Sequence, residues 1–258
     1  MSMSMTEIER ALKQLRLSGV RATLETRIIE SQASNLSFLE TFSMIIQDEL
    51  DRRQSRLLDR RYQLSNLDER MSLAEFDWGF NPKIPKKACF ELNTLKFITE
   101  GSSALLIGPP GTGKSHVAKA VAYSATRSGY AVTYVEADEL LAGLVIAQAH
   151  SVEKRKLLKP VLDADLLVLD DLFLARKIAH DAADELQLIL HKRYKRRRST
   201  VITSNRVIGD WSKYLGDAAL ATTVLDRLMH RSTLLEFQGK SYRLKEAASR
   251  LAQADKSR

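Results

Sequence analysis

Gly108-Pro109-Pro110-Gly111-Thr112-Gly113-Lys114-Ser115 lies between an apolar run at 104–107 and a helical stretch near 114–128, and its reading decides the fold. The residues complete the pattern G-x-x-x-x-G-K-[ST]. Glycines let the main chain wrap closely around phosphate oxygens, so that its N–H groups and the positive end of the following helix face the anion. Lys114 is then placed to reach the β- and γ-phosphates, and Ser115 to put its hydroxyl on Mg2+. The competing reading is a plain glycine turn. With only eleven glycines in 258 residues, however, four fixed positions in the correct strand-loop-helix context are a rare coincidence. The stretch predicts a nucleoside triphosphate site.

Outward from it, the next chemistry stands at Leu166-Leu167-Val168-Leu169-Asp170-Asp171, an apolar strand ending in two acids. A carboxylate at the C-terminal edge of such a strand falls in the crevice where parallel sheets bind ligands. Asp170 is expected to hold Mg2+ and Asp171 to orient or polarise an attacking water. A third strand ends Val201-Ile202-Thr203-Ser204-Asn205, which puts a polar amide where it could bond both the γ-phosphate and that water. Arg227, in Asp226-Arg227-Leu228 at a helical end, could stabilise transition-state charge in a neighbouring subunit's site; taken alone it reads instead as a salt-bridge partner of Asp226 or a surface charge.

These motifs sit in a regular alternation. Apolar runs at 104–107, 131–135, 166–169, 200–202 and 234–237 predict strands, and helical periods near 114–128, 138–149, 180–197 and 217–229 fall between most of them. Several runs are apolar throughout, as in a parallel sheet covered on both faces. The fold class is α/β, a central parallel sheet flanked by helices.

The region before the sheet reads differently. Helical spacing over 6–32 is broken at Ser18-Gly19, predicting two short helices. Ser37 and Glu40 have the spacing of a capping box and predict the start of a long helix. Its apolar face comprises Leu39, Phe42, Ile45, Ile46, Leu50, Leu57 and Leu58, with Asp48–Arg52 and Glu49–Arg53 as exposed i,i+4 pairs. Periodicity fades around 64–87, where Gly79, Pro82 and Pro85 mark a boundary. The expected division is a helical N-terminal domain over 1–68, a linker over 69–87, the α/β domain over 88–246 and a polar tail over 247–258.

Composition narrows the class. A single cysteine, Cys89, excludes an internal disulfide, and five scattered histidines argue against a structural zinc site. No run is long and apolar enough to span a bilayer, and the first residues lack the pattern of a secretion signal, so a cytoplasmic location is expected. Forty Lys and Arg against thirty-two Asp and Glu give a net charge of +8. Residues 1–75 carry eleven basic and twelve acidic side chains, so the excess belongs to the larger C-terminal part, where it favours polyanions.

The phosphate loop, Asp170-Asp171, Thr203-Ser204-Asn205, Asp226-Arg227-Leu228 and Gly239-Lys240-Ser241-Tyr242-Arg243-Leu244-Lys245, in this order, resemble the IstB family of AAA+ ATPases. These are helpers of insertion-sequence transposons and relatives of the DnaC-type helicase loaders. Ser115-His116, Glu75-Phe76-Asp77-Trp78 and Leu17-Ser18-Gly19-Val20-Arg21-Ala22-Thr23-Leu24 extend the likeness over nearly the whole chain. The resemblance implies an ATP-dependent switch that assembles as a homo-oligomer on double-stranded DNA, marks a target for a transposase, and hydrolyses ATP with Mg2+ to disassemble. It makes Lys114 and Ser115 the Walker A residues, with His116 beside them, and Asp170 and Asp171 Walker B. Asn205 becomes sensor 1, Arg227 an arginine-finger candidate and Arg243 a second sensor. The second Walker B acid is aspartate where glutamate is commoner across AAA+ proteins. The family's tandem histidine after D-R-L-x appears as His230-Arg231, leaving open whether Arg231 or Arg227 faces the neighbour's phosphate.

Two basic clusters then suggest DNA phosphate contacts of low sequence specificity. One is Lys154, Arg155, Lys156 and Lys159, expected on a loop. The other lies in the run 191–198, with Lys195, Arg196, Arg197 and Arg198 as its candidates. A DnaC-like helicase loader, a small-metabolite kinase and a DNA-binding protein with an inactive nucleotide site are the alternatives.

Overall fold

Apolar runs without alternation become the inner strands of one parallel sheet. The structure, a computed structural model, describes residues 3–174, 180–216 and 218–256. Two compact units divide the chain, Met1–Arg60 and Arg61–Arg258.

In the first unit α1 (Met5–Gln14) starts at a capping box in which Ser4 and Glu7 satisfy each other's main-chain N–H groups. Then follow α2 (Ser18–Ala33) and α3 (Phe38–Leu64), the latter opened by the expected Ser37–Glu40 box. The break between α1 and α2 falls at 15–17, with Arg16 left-handed at φ 59°, and Ser18-Gly19 begins a helix instead of ending one. The cause is Glu49, whose buried carboxylate accepts the Gly19 N–H at 2.6 Å and the Val20 N–H at 3.3 Å. A side chain at position 19 would stand 2.6 Å from the Glu49 Cα, so glycine permits the approach. Asp48 likewise pairs with Arg27 of α2, not with Arg52. Glu49 does pair with Arg53 at 2.8 Å, but from a buried position. The two acids expected on the solvent side thus fasten α3 to α2. Most of the expected apolar face is open: Leu39 is 71% and Phe42 49% exposed.

The second unit begins with the end of α3 and continues through α4 (Lys86–Asn93) and α5 (Lys96–Glu100). Next come β1 (Ser103–Ile107), α6 (Lys114–Arg127), β2 (Val132–Glu136), α7 (Ala137–Ile146), α8 (Val152–Asp163) and β3 (Leu166–Leu172). After these follow α9 (His180–Lys195), β4 (Ser199–Ser204), α10 (Trp211–Leu215), α11 (Ala218–His230), β5 (Ser232–Glu236) and α12 (Tyr242–Lys256). The strands pair in parallel in the order β2-β3-β4-β1-β5. Ala104 and Leu106 pack with α4, α5 and α6 on one face, while Leu105 and Ile107 pack with α7, α9 and α11 on the other. Both sides of β1 are therefore apolar and covered, as its unbroken run requires, whereas β5 at the sheet edge is mostly exposed. The crossover order leaves the C-terminal ends of β1, β3 and β4 adjacent, which gathers their loops at one edge.

Residues 69–87 are not a bare connector: Leu73 and Ile84 join the buried core beside α6. The segment 247–258 continues α12 as far as Lys256. Among the described residues no helix is long and apolar enough to cross a membrane.

Candidate functional site

The loop after β1 turns into α6 through Gly111 and Gly113, both at positive φ (73° and 99°). A Cβ on Gly113 would collide with the Phe76 ring, and one on Gly111 with the Ser241 side chain. The glycines are therefore needed twice, for conformation and for room. Tyr242 donates its N–H to the Gly111 carbonyl at 2.8 Å, joining the start of α12 to the same loop. Asn81 donates to the Lys240 carbonyl and accepts the Lys240 N–H, both at 2.9 Å, so one amide fixes the turn before α12.

These pieces enclose a cleft of about 760 Å³ lined by 110–116 together with Asp171, Asn205, Tyr242 and Arg243. Lys114 is almost fully buried, and its ammonium donates to the Gly108 carbonyl (2.7 Å), the Pro109 carbonyl (2.8 Å) and Asn205 Oδ1 (2.6 Å). Burial pushes that ammonium down to about 8, helped by Arg243 and opposed by Asp171 and Asp170. His116 closes the side of the cleft, its Nε2 3.0 Å from the Ser72 carbonyl and its ring edge-on to Phe76.

Adjacent residues on a regular strand point to opposite faces, yet Asp171 lines the cleft and the charges of both Asp170 and Asp171 reach Lys114. The register between β3 and β4 shifts between Leu169 and Leu172, and Asp171 is left-handed at φ 50°. That bulge re-aims Asp171 into the cleft. Its N–H donates to Thr203 Oγ1 at 2.8 Å, and burial, then the neighbouring Asp170 charge, raise its carboxyl above the ordinary range. Asp170 lies deeper and accepts the hydroxyls of Tyr134 and Thr203. Burial pushes the Tyr134 hydroxyl upward, with the Asp170 charge adding to it, so it remains a donor.

Arg227 does not join this group. It borders a separate small depression with Tyr194, Arg198 and Arg231, and the Arg231 guanidinium stacks over the Tyr194 ring at 5.7 Å. The 154–159 cluster is helical, not a loop, because Ser151 caps α8 by accepting the Lys154 N–H. Lys154 is engaged by Glu185 at 2.5 Å; Arg155, Lys156 and Lys159 are exposed. At the end of α9, Lys195 and Arg197 are exposed, Arg196 pairs with Asp163 at 3.3 Å, and Arg198 pairs with Asp165. Sequence reasoning missed Tyr134, Asn81 and the role of Thr203. A tyrosine inside the apolar strand at 131–135, where its hydroxyl needs a partner, was the available signal for the first.

A five-stranded parallel sheet with a phosphate loop after β1, paired acids ending β3 and an asparagine after β4 defines the AAA+ class of P-loop proteins. The fold agrees with that of DnaI (TM-score 0.57, 21% identity, 66% of this chain and 92% of that one). It also agrees with AMPPCP-bound DnaA from Aquifex aeolicus (TM-score 0.54, 23% identity, 73% and 56%). Within the class, the chain belongs to the family of IstB-like ATP binding proteins, whose pattern matches residues 10–250. It is 34% identical to an insertion sequence IS21 protein of Pseudomonas aeruginosa named for ATP binding, covering 94% of this chain and 90% of that one. A similarly named insertion-sequence protein of Mycobacterium tuberculosis is 30% identical, covering 97% and 99%.

Proposed function

We propose that this chain is an ATP-hydrolysing switch that binds duplex DNA and regulates target selection by a transposase. The observation that supports it best is the convergence on Lys114: its ammonium meets Asn205 Oδ1 at 2.6 Å in the cleft that Asp171 also lines. A triphosphate entering beside Pro110–Ser115 would draw Lys114 from the Gly108 and Pro109 carbonyls onto phosphate oxygens, a stronger charge-assisted bond. The donor set fits magnesium, since the Ser115 hydroxyl and the Asp170 carboxylate are hard oxygen ligands. When bound, the ion neutralises charge on the phosphates. Asp171, with its raised carboxyl, holds the attacking water and takes its proton as the water oxygen bonds to the γ-phosphorus and the bond to the β–γ bridging oxygen breaks. Asn205 bonds the γ-phosphate, and Arg243 adds a charge from α12. Arg227 or Arg231, remote from its own cleft, serves a neighbouring subunit.

The exposed cations Arg155, Lys156, Lys159, Lys195 and Arg197, on a chain of net charge +8, support phosphate contacts to DNA. The insertion-sequence relatives support a transposase partner. Residues 1–68 then serve oligomerisation and partner contacts, 88–246 form the ATPase module, and the protein works in the cytosol.

Sedimentation with random-sequence duplex DNA across a salt series tests this reading. Large DNA-bound assemblies should form with ATP, not with ADP, and be lost in Lys114→Ala. Binding indifferent to nucleotide would refute the switch, and tight capture of a replicative helicase in place of transposase would favour the loader reading.

A further inference from the structure

One side chain bound to the candidate metal site is assigned no role by the motifs. Tyr134 on β2 donates its hydroxyl to Asp170 Oδ2 at 2.5 Å. Thr203 on β4 donates to Asp170 Oδ1. Asp170 lies on β3, between those two strands, so a single carboxylate is held from both sides across the sheet. Tyr134 is itself held at two points, its main chain and its ring, the second through a lysine that is paired in turn. Its N–H donates to the Ser65 carbonyl at 2.7 Å; its ring carries the Lys119 ammonium 5.4 Å from the centroid; and that ammonium is paired with Asp68 at 2.7 Å. Swinging the ring away from Asp170 would give up its contact with the Lys119 ammonium.

A carboxylate offers about four lone-pair sites. The two hydroxyls take one on each oxygen and leave one on each, so the carboxylate is fixed in plane yet still able to accept. Residues that orient a metal-binding carboxylate in this way commonly change metal affinity about 10–100-fold when removed. We propose that Tyr134 is the positioning residue for Asp170, presetting the carboxylate that receives hydrated magnesium with the nucleotide. The inference rests on the nucleotide reading above and reaches past it, to a residue outside every motif.

The test is binding of a fluorescent ATP analogue to the full chain, in EDTA and along a Mg2+ titration. In the wild type, Mg2+ should tighten binding. In Tyr134→Phe, which removes one oxygen and keeps the buried ring, the Mg2+ concentration for half the effect should rise about tenfold while affinity in EDTA stays unchanged. An unchanged Mg2+ requirement would overturn the proposal, as would an equal loss with and without Mg2+, which marks a merely structural residue. Should Tyr134→Phe fail to fold, Thr203→Val releases the other Asp170 oxygen together with the Asp171 N–H, and Thr203→Ser retains both bonds. The first alone should raise the Mg2+ requirement, and equal requirements would overturn the positioning argument. A wild type that binds the analogue in neither condition would instead refute the nucleotide reading itself.

Discussion

Arg193 provides the sharpest test of how the basic run 191–198 is used. By sequence it is one of six cations in eight residues. In the structure it is 1% exposed, and its guanidinium donates to the carbonyls of Val161 (2.6 Å), Ala164 (3.0 Å) and Ser199 (2.5 Å) and to the Thr200 hydroxyl (3.0 Å). It thus closes the C-terminal end of α8 and the start of β4 from α9. Arg193→Met keeps most of the stem but strips the donors from three buried carbonyls. At about 1 kcal/mol or more for each orphaned group, the loss is about 3–5 kcal/mol. For a unit of this size that lowers the melting temperature by about 10 °C. Arg193→Lys should recover only part, because three ammonium donors cannot serve four acceptors. Thermal and urea unfolding read the stability, and the salt dependence of DNA binding, measured below the unfolding temperature, reads the alternative. A variant within about 1 kcal/mol of wild type that instead shows a shallower salt slope would refute the assignment.

The Arg27 guanidinium beside Asp48 holds that carboxyl down to about 2, against 3.8 ordinarily. Because the folded value is depressed, the stabilisation is complete above pH 3.8 and disappears as pH falls through 2. Asp48→Asn should therefore unfold more readily in urea at pH 6, and the gap from wild type should close between those values; a constant gap would count against the ion pair. Asn81→Leu should cost about 2 kcal/mol by orphaning both main-chain groups of Lys240, and should weaken nucleotide affinity through the displaced turn before α12. Unchanged affinity by fluorescence titration would show that the turn does not shape the cleft.

The sheet was legible because burial on both faces leaves a plain mark, runs such as Leu166–Leu169 in which every residue is apolar. The phosphate loop was legible because its glycines are demanded by local geometry, which sequence records directly. The ion pairs were less so. Periodicity alone pairs Asp48 with Arg52 and Glu49 with Arg53; the second pair forms, though from a buried carboxylate, while Asp48 turns to Arg27. Packing against α2 brings Arg27 and the N-terminal amides of a helix, and a carboxylate gains more from those directed, partly buried donors than from a solvated lysine or arginine on its own surface. The burial of Arg193 inside the basic run was illegible for the same reason, since its spatial neighbours come from segments distant in sequence.

The same logic bears on the segment before α4. Gly79, Pro82 and Pro85 stop a helix, and composition therefore reads 69–87 as a connector. A breaker forbids a helix but does not forbid burial. Freed from helical geometry, the chain can lay Phe76 against Gly113, hydrogen-bond Asn81 to Lys240 and pass the Ser72 carbonyl to His116 within a short span. Each contact reaches a different wall of the cleft: the phosphate loop, the turn before α12 and the first turn of α6. A regular helix would present one face to one neighbour, whereas this irregular segment touches three. Its lack of periodicity is thus the condition for shaping the site, and substitutions there should alter nucleotide affinity although none of its side chains carries phosphate chemistry.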